Sequence, residues 1–215
     1  MLELTIDELL TTTRSVRKRL DCDRPVERDV LTDCVRLAMQ TPSGANSQGW
    51  QWVFVEDRPT KERLAVVYRL QFDATYRVMP IGTYDDPREQ AQAVRRRESA
   101  TWLADHFEEV PVIMVPCAPG RIDGAIAGVQ AGFWGSVLPA VWSFMLALRS
   151  RGLGSAWVTM NLSRPDGERE TADILGIPYD AYTQAGLFPI GYTKGTDFKP
   201  IATPPAESRI HWDRW

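Results

Sequence analysis

Residues 41–52 read TPSGANSQGWQW, and this stretch governs how the chain on either side is interpreted. It has no charged residue, and small or amide-bearing residues precede two tryptophans. Small residues let a backbone approach a flat surface closely, and hydroxyl and amide groups can hydrogen-bond to its edge. The groups available for this are those of Ser43, Asn46, Ser47 and Gln48. An ordinary helix-to-strand turn explains the stretch equally well when it is considered alone.

The flanking segments carry helix and strand signals. Before the stretch, PVERDVLTDCVRLAMQ (25–40) has apolar residues at helical spacing, and Pro42 ends the predicted helix. After it, WQWVFVE (50–56) is rich in aromatic and β-branched residues, which predicts a strand. Similar signals elsewhere predict helices over 5–13, 60–78, 87–108, 125–148 and 167–176, and strands over 110–118, 155–160 and 182–192. This irregular order predicts an α+β fold, a mixed sheet covered by helices, in a single domain spanning 1–215.

Composition excludes several classes of protein. A net charge of −3 and a pI near 5.5 argue against a general nucleic-acid binder. The three cysteines and two histidines are too scattered for a metal site; they are Cys22, Cys34, Cys117, His106 and His211. The start, MLELTIDELL, places acids where a signal peptide needs a basic segment and an apolar run. The expected location is therefore cytoplasmic.

One uncharged segment allows two interpretations. Residues 125–148, AIAGVQAGFWGSVLPAVWSFMLAL, are long enough to span a bilayer. They also contain glycines, Pro139 and polar residues, and the sequence has no second segment of this kind. A helix that is apolar all round can equally lie in a core or a subunit interface. We expect an interface helix and no membrane span.

Several familiar catalytic motifs are absent from the sequence: GxGxxG after a strand, GxxxxGK[ST] and GxSxG. Three segments remain as candidates. In RSVR (14–17) the guanidinium groups can bind a phosphate, although a solvated charge run explains it more simply. PSGANSQGW (42–50) can lie against an aromatic plate, and GLGSAWVTM (152–160) can present a backbone N–H, although it can also be a plain helix C-cap.

Taken together, the motifs resemble the nitroreductase family of FMN-dependent oxidoreductases. The resemblance rests on RSVRKRL near the start, PSGANSQGWQWVFV about thirty residues later, RGLGSAWVT past the middle, and GYTKGTDFKP with IHWDRW at the end. The order and spacing of these four motifs match the family over nearly the whole chain.

The resemblance implies an α+β homodimer that holds two FMN molecules at its interface, with a long interface helix and an extended C-terminal arm. It implies that the phosphate and ribityl chain contact Arg14, Ser15 and Arg17. It implies that a segment of the other subunit lies along the isoalloxazine ring, here Pro42, Ser43, Gly44 and Asn46. The contact to flavin N5 falls on Val158, Thr159 and Met160. In the arm, Lys199 is the nearest basic candidate, because Ala202 and Thr203 stand where relatives often have an arginine.

The implied activity is transfer of a hydride from NADH or NADPH, via the flavin, to a nitroaromatic, quinone or similar electron-poor acceptor by ping-pong kinetics. No side chain need act as an acid or base, and we assign no catalytic residue. Arg96 and Arg97 are candidates for the positive charge near flavin N1/O2, and region 68–110 is the expected lid. Flavin fragmentation, reductive dehalogenation, natural-product dehydrogenation and non-catalytic flavin binding remain alternatives.

Overall fold

The structure, a computed structural model, describes residues 1–201 and 203–215. Its α-helices are α1 (Ile6–Thr12), α2 (Arg28–Ala38), α3 (Arg58–Ala74), α4 (Pro87–Asp105), α5 (Ala127–Ser150) and α6 (Gly167–Leu175). Its strands are β1 (Gln51–Val55), β2 (Val112–Pro119), β3 (Leu153–Ser155), β4 (Tyr182–Gln184) and β5 (Phe188–Tyr192). The predicted capping box at the start of α1 is present, since Thr5 and Glu8 each bond to the backbone N–H of the other.

The sheet is built around β2, which is buried at every residue except Pro119, as its continuous apolar run predicts. The strand order is β1-β2-β5-β3, and β4 pairs with the C-terminal half of β2. These ladders are antiparallel, and one parallel bridge joins Ser15 to Ser155 at the β3 edge. The expected α+β class, a sheet covered by helices, is confirmed.

Alternation along β2 divides the core between the two faces of the sheet. Val112, Met114 and Ala118 pack with α2 and α5 on one face. Ile113, Val115 and Cys117 pack with α3 and α4 on the other face. The sheet is therefore covered by helices on both sides, and the segments that enter and leave its strands lie at its edges.

The long helix α5 has two different halves. From Val137 onward it is largely buried in the core, and Pro139 lies within the helix. The first half is exposed, with Ile126 just before it 76% exposed and Val129 52% exposed. By length and composition alone, α5 is the one helix in the described ranges that could cross a membrane.

Two strand predictions differ from the structure. Residues 155–160 were expected to form one strand, but only Leu153–Ser155 is a strand, and Met160–Leu162 forms a single 3₁₀ turn. The last strand is interrupted between Gln184 and Phe188, because Gly186 has φ +118 and breaks the ladder. Both departures lie near Trp157 and Val158, and the second lies opposite the middle of β2.

Candidate functional site

The RSVR segment leaves α1 and runs along the edge of the sheet. The Val16 N–H donates to the Ser155 carbonyl at 2.8 Å, which pairs this segment with β3. The approach is close enough that a Cβ on Gly154 would lie 2.8 Å from the Val16 side chain. Val16 is buried, and Arg14 and Arg17 flank it on a backbone fixed by the sheet.

A groove of about 820 Å³ opens over this segment. Its walls combine the RSVRKR segment, one side of α4 and the arm residues Phe198, Pro200 and Ile201. Seven of the described lining residues are cationic and none is acidic; the cations are Arg14, Arg17, Lys18, Arg19, Arg88, Arg95 and Arg96. Such a surface favours an anionic ligand over a neutral one.

Arg14 has buried nitrogen atoms that an anion in the groove could satisfy. The Nε and Nη2 atoms of Arg14 are buried and have no hydrogen-bond partner within the described ranges. Burial, with the charge of Arg19, lowers the pKa of Arg14, and burial also lowers that of Arg17. A buried guanidinium without a partner is costly, and a phosphate would satisfy it with charge-assisted hydrogen bonds. The residues present therefore fit the phosphate of a nucleotide cofactor.

The loop after α2 has a strained backbone. Ala45, Asn46 and Gln48 have φ values of 52, 53 and 42, although none is glycine. Each such residue costs on the order of 1–3 kcal/mol and is commonly found at ligand sites. The loop is held by the Gln48 N–H, which donates to Ser43 Oγ at 3.1 Å, and by Gln48 Nε2, which donates to the Met39 carbonyl.

The loop presents its predicted contact residues to solvent. Pro42, Gly44 and Asn46 are exposed, and Ser43 is half-buried. A cleft of about 240 Å³ separates the loop from the exposed half of α5, and its lining includes Gly44, Ser47, Trp50, Gly132 and Phe133. The arginine groove is lined by other residues, so within one chain the first two motifs face separate spaces.

The Val158–Met160 segment is held at Val158, which pairs with the chain just before β5. Val158 exchanges both backbone hydrogen bonds with Leu187, at 3.0 and 2.9 Å. Its own N–H is therefore occupied, whereas the N–H groups of Thr159 and Met160 donate no hydrogen bond among the residues described. These two groups are the donors that the segment can offer a ligand.

A buried polar network lies under this segment. Asn161 is fully buried, and its Nδ2 lies 3.4 Å from Thr171 Oγ1 and 3.5 Å from Gln184 Oε1. Gln184 binds Glu168 through its backbone N–H and side chain, and Glu168 forms a two-point ion pair with Arg121. This network ties the start of α6 to β4 and thus fixes the position of Thr159 and Met160.

The remaining predicted residues are more dispersed. Lys199 is exposed, while its neighbours Phe198 and Pro200 line the groove. Arg96 lines the groove, but Arg97 donates to the carbonyls of Arg77 and Met79 in the loop before α4. Ala202 lies outside the described residues.

Sequence reasoning missed Arg149, at the C-terminal end of α5. It is 4% exposed and lines a small cavity next to Arg14 and Ser155. A signal was available, because Arg149 is the first charged residue after a long uncharged segment. A helix-end arginine ordinarily points to solvent and binds carbonyls there, so spacing alone could not place this side chain inside.

Comparisons with known proteins identify the family of the chain. The sequence profile of the nitroreductase family matches residues 10–192. An iodotyrosine deiodinase from Thermotoga neapolitana is 24% identical over 183 residues, which are 85% of this chain and 86% of that protein.

Solved structures share the fold. An oxidized iodotyrosine deiodinase bound to FMN and 3-iodo-L-tyrosine has a TM-score of 0.71 at 22% identity, over 98% of this chain and 100% of that chain. The FMN and NADPH-dependent nitroreductase NfnB from sphigopyxis sp. strain HMH has a TM-score of 0.68 at 21% identity, over 99% and 100%. Because the family profile covers most of its length, the chain belongs to the nitroreductase family.

Proposed function

We propose that this protein is an FMN-dependent oxidoreductase that takes a hydride from NADH or NADPH and reduces a nitroaromatic, quinone or similar electron-poor acceptor. The observation that carries the proposal is the groove over the RSVR segment, where buried nitrogens of Arg14 lack partners and no described lining residue is acidic. Family membership supplies the identity of the cofactor, since the nitroreductase-fold structures above include FMN proteins.

Each motif has a defined part in this proposal. Arg14, Ser15 and Arg17 hold the cofactor phosphate, and the unoccupied N–H groups of Thr159 and Met160 offer hydrogen bonds at the ring. The strained loop, with Pro42, Ser43, Gly44 and Asn46, covers the ring from the other subunit. FMN supplies hydride and electron transfer when bound, and the protein supplies orientation and exclusion of water.

The donor and the acceptor use the same site in turn, so the kinetics are ping-pong. The test is a matrix of initial rates with NADH and NADPH against p-benzoquinone and nitrofurazone. Parallel double-reciprocal lines with either acceptor support the proposal. Intersecting lines contradict the shared site, and no reduction of either acceptor by the FMN-loaded protein contradicts the activity.

A second candidate is reductive dehalogenation, favoured by the similarity to the Thermotoga deiodinase. In this reaction an aryl C–I bond is replaced by C–H, iodide leaves, and two electrons and one proton are consumed. The discriminating measurement is iodide release from 3-iodotyrosine by the dithionite-reduced protein. Stoichiometric iodide release favours this candidate. Iodide release no faster than in the no-protein control favours the quinone and nitro acceptors.

The proposed assembly is a homodimer with the exposed half of α5 in its interface. Ile126 and Val129 are large apolar side chains exposed beside Gly128 and Gly132, which allow a second helix to approach. Burying them against a second copy removes apolar surface from water. This arrangement also favours an interface helix over a membrane span, and we propose a cytoplasmic protein without a nucleic-acid or membrane partner.

Replacing both Val129 and Gly132 with Glu should convert the protein to a monomer of 24.3 kDa in light scattering, because like charges would meet across a two-fold interface. The monomer should also fail to retain FMN, since the strained loop would no longer cover the cofactor. Val129→Ala keeps the surface apolar and should remain dimeric. A double variant that stays dimeric would refute the role assigned to this face.

A further inference from the structure

A small cavity adjoins Arg14 and shares Arg14, Val16 and Phe198 with the lining of the open groove. The space that the centre of a water-sized sphere can occupy in the cavity is about 10 Å³. This is enough for one water, one small ion or one oxygen of a larger anion. Its walls come from the end of α1, the end of α5, β3 and the arm, and they include Arg14, Arg149, Ser155 and Phe198.

Unpartnered hydrogen-bond donors surround this cavity. Among the described residues, nine buried side-chain nitrogen or oxygen atoms lack a partner, and five of them are Arg14 Nε and Nη2, Arg149 Nε and Nη1, and Ser155 Oγ. All five belong to residues that line the cavity, and none of its described lining residues is acidic. Donors that converge without an acceptor indicate a missing acceptor, because a buried polar group without a partner is costly.

The charges around the cavity also favour an anion. Arg149 is 4% exposed, and its Nη2 binds only neutral oxygens, those of Thr12 and the Thr196 carbonyl. Burial lowers the pKa of Arg149, and the positive charges of Arg19 and Arg14 act in the same direction. Arg19 is paired with Asp197, but Arg14 and Arg149 form no ion pair within the described ranges. Two like charges held this way destabilise each other unless an anion lies between them.

The arm is attached to the same arginines. Phe198 lies between two guanidinium groups, with Arg19 Cζ 4.2 Å and Arg149 Cζ 4.9 Å from its ring centroid. The Thr196 carbonyl accepts from Arg149 Nη2 at 3.0 Å. The arm thus supplies the Phe198 ring to the cavity wall. Its lysines and arginines are all exposed to solvent, namely Lys194, Lys199, Arg209 and Arg214.

We propose that Arg14, Arg149 and Ser155 form a buried anion site, and that Arg149 gives this site a cation from α5 in place of one from the C-terminal arm. The ligand chemistry is a small anion or one oxygen of a phosphate. Its sources are the phosphate group of FMN, in which case the inference rests on the proposed function, or a free inorganic anion.

The test compares FMN with riboflavin, which lacks the phosphate, by quenching of flavin fluorescence. Arg149→Met should weaken FMN binding about 10- to 100-fold and change riboflavin binding less than twofold. Arg149→Lys should recover part of the lost affinity, because lysine restores the positive charge without the planar two-point donor geometry of the guanidinium group. Arg151→Gln is the matched control, since within the described ranges the Arg151 side chain donates hydrogen bonds only to Ala147 and Ser150. This variant should bind both flavins like the wild type.

A second experiment uses protein without flavin. Phosphate or chloride should raise the wild-type Tm by about 2–4 °C over sodium gluconate at equal ionic strength, and Arg149→Met should lose this increase. An anion-dependent increase without any change in the FMN-to-riboflavin ratio assigns the site to a free anion. Equal loss of both flavins without an anion-dependent rise in Tm, or no change in either experiment, would overturn the proposal. If the wild type binds neither flavin, the proposed function fails. The Tm experiment alone then decides whether the anion site exists.

Discussion

Replacing both Arg14 and Arg17 with Met should weaken FMN binding at least about 100-fold. The purified double variant should therefore be colourless. Each charge-assisted hydrogen bond to a phosphate contributes roughly 1.5–3 kcal/mol, and 1.4 kcal/mol is a factor of ten in Kd. Arg14 is the stronger contributor by geometry, because two of its buried nitrogens lack partners. The measurement is titration of the protein into FMN with fluorescence detection at fixed ionic strength.

Arg36→Met on α2 is the control for this result, since that arginine is exposed and pairs with Asp33 on its own helix. It should retain wild-type affinity for FMN. Methionine preserves much of the stem volume at positions 14 and 17, so a general loss of folding would appear as a lower Tm. Undiminished FMN binding by the double variant, with unchanged Tm, would place the phosphate elsewhere.

Gly186→Ala should lower the free energy of unfolding by about 2–6 kcal/mol. The residue has φ +118, which costs an L side chain roughly 1–3 kcal/mol. A Cβ would also lie 2.7 Å from both Trp157 Nε1 and the Val158 carbonyl, and overpacking of this kind costs about 1–3 kcal/mol. Urea unfolding at constant m-value measures the loss.

Gly176→Ala separates the two causes of the loss at Gly186. Gly176 ends α6 with φ +68 and has no atom within 4 Å of a built Cβ, so only the backbone cost applies. This control should lose about 1 kcal/mol. If both variants lose the same stability, the close approach to Trp157 is not a constraint. The Gly186 variant should also bind flavin more weakly, because the same contact positions the chain before Thr159.

The elements of the fold followed from local patterns. The capping box at Thr5, the amphipathic α2 and the buried run of β2 each have a short-range cause, and the structure confirms all three. The interrupted last strand was not predictable in the same way. FPIGY and YTQ both have strand composition, and the break depends on how Gly186 meets Trp157 across the fold.

The candidate-site residues also differ in whether a local sequence pattern could predict them. Arg14, Ser15 and Arg17 share one short segment, so sequence could predict them as a unit, and they line one groove. Arg149 joins them only because α5 ends beside the start of β3, a tertiary relation without a sequence period. The loop at 42–46 faces a different space in a single chain, so its predicted contact with the ring depends on a second subunit.

An anaerobic spectral titration tests most directly the proposal that this protein is a working FMN oxidoreductase. Protein purified with FMN added should be yellow, and stoichiometric NADPH or NADH should bleach the visible absorption band of the oxidised flavin. Reoxidation by p-benzoquinone should then restore the band. Protein that retains no FMN, or bound FMN that neither nicotinamide bleaches, would contradict the claim.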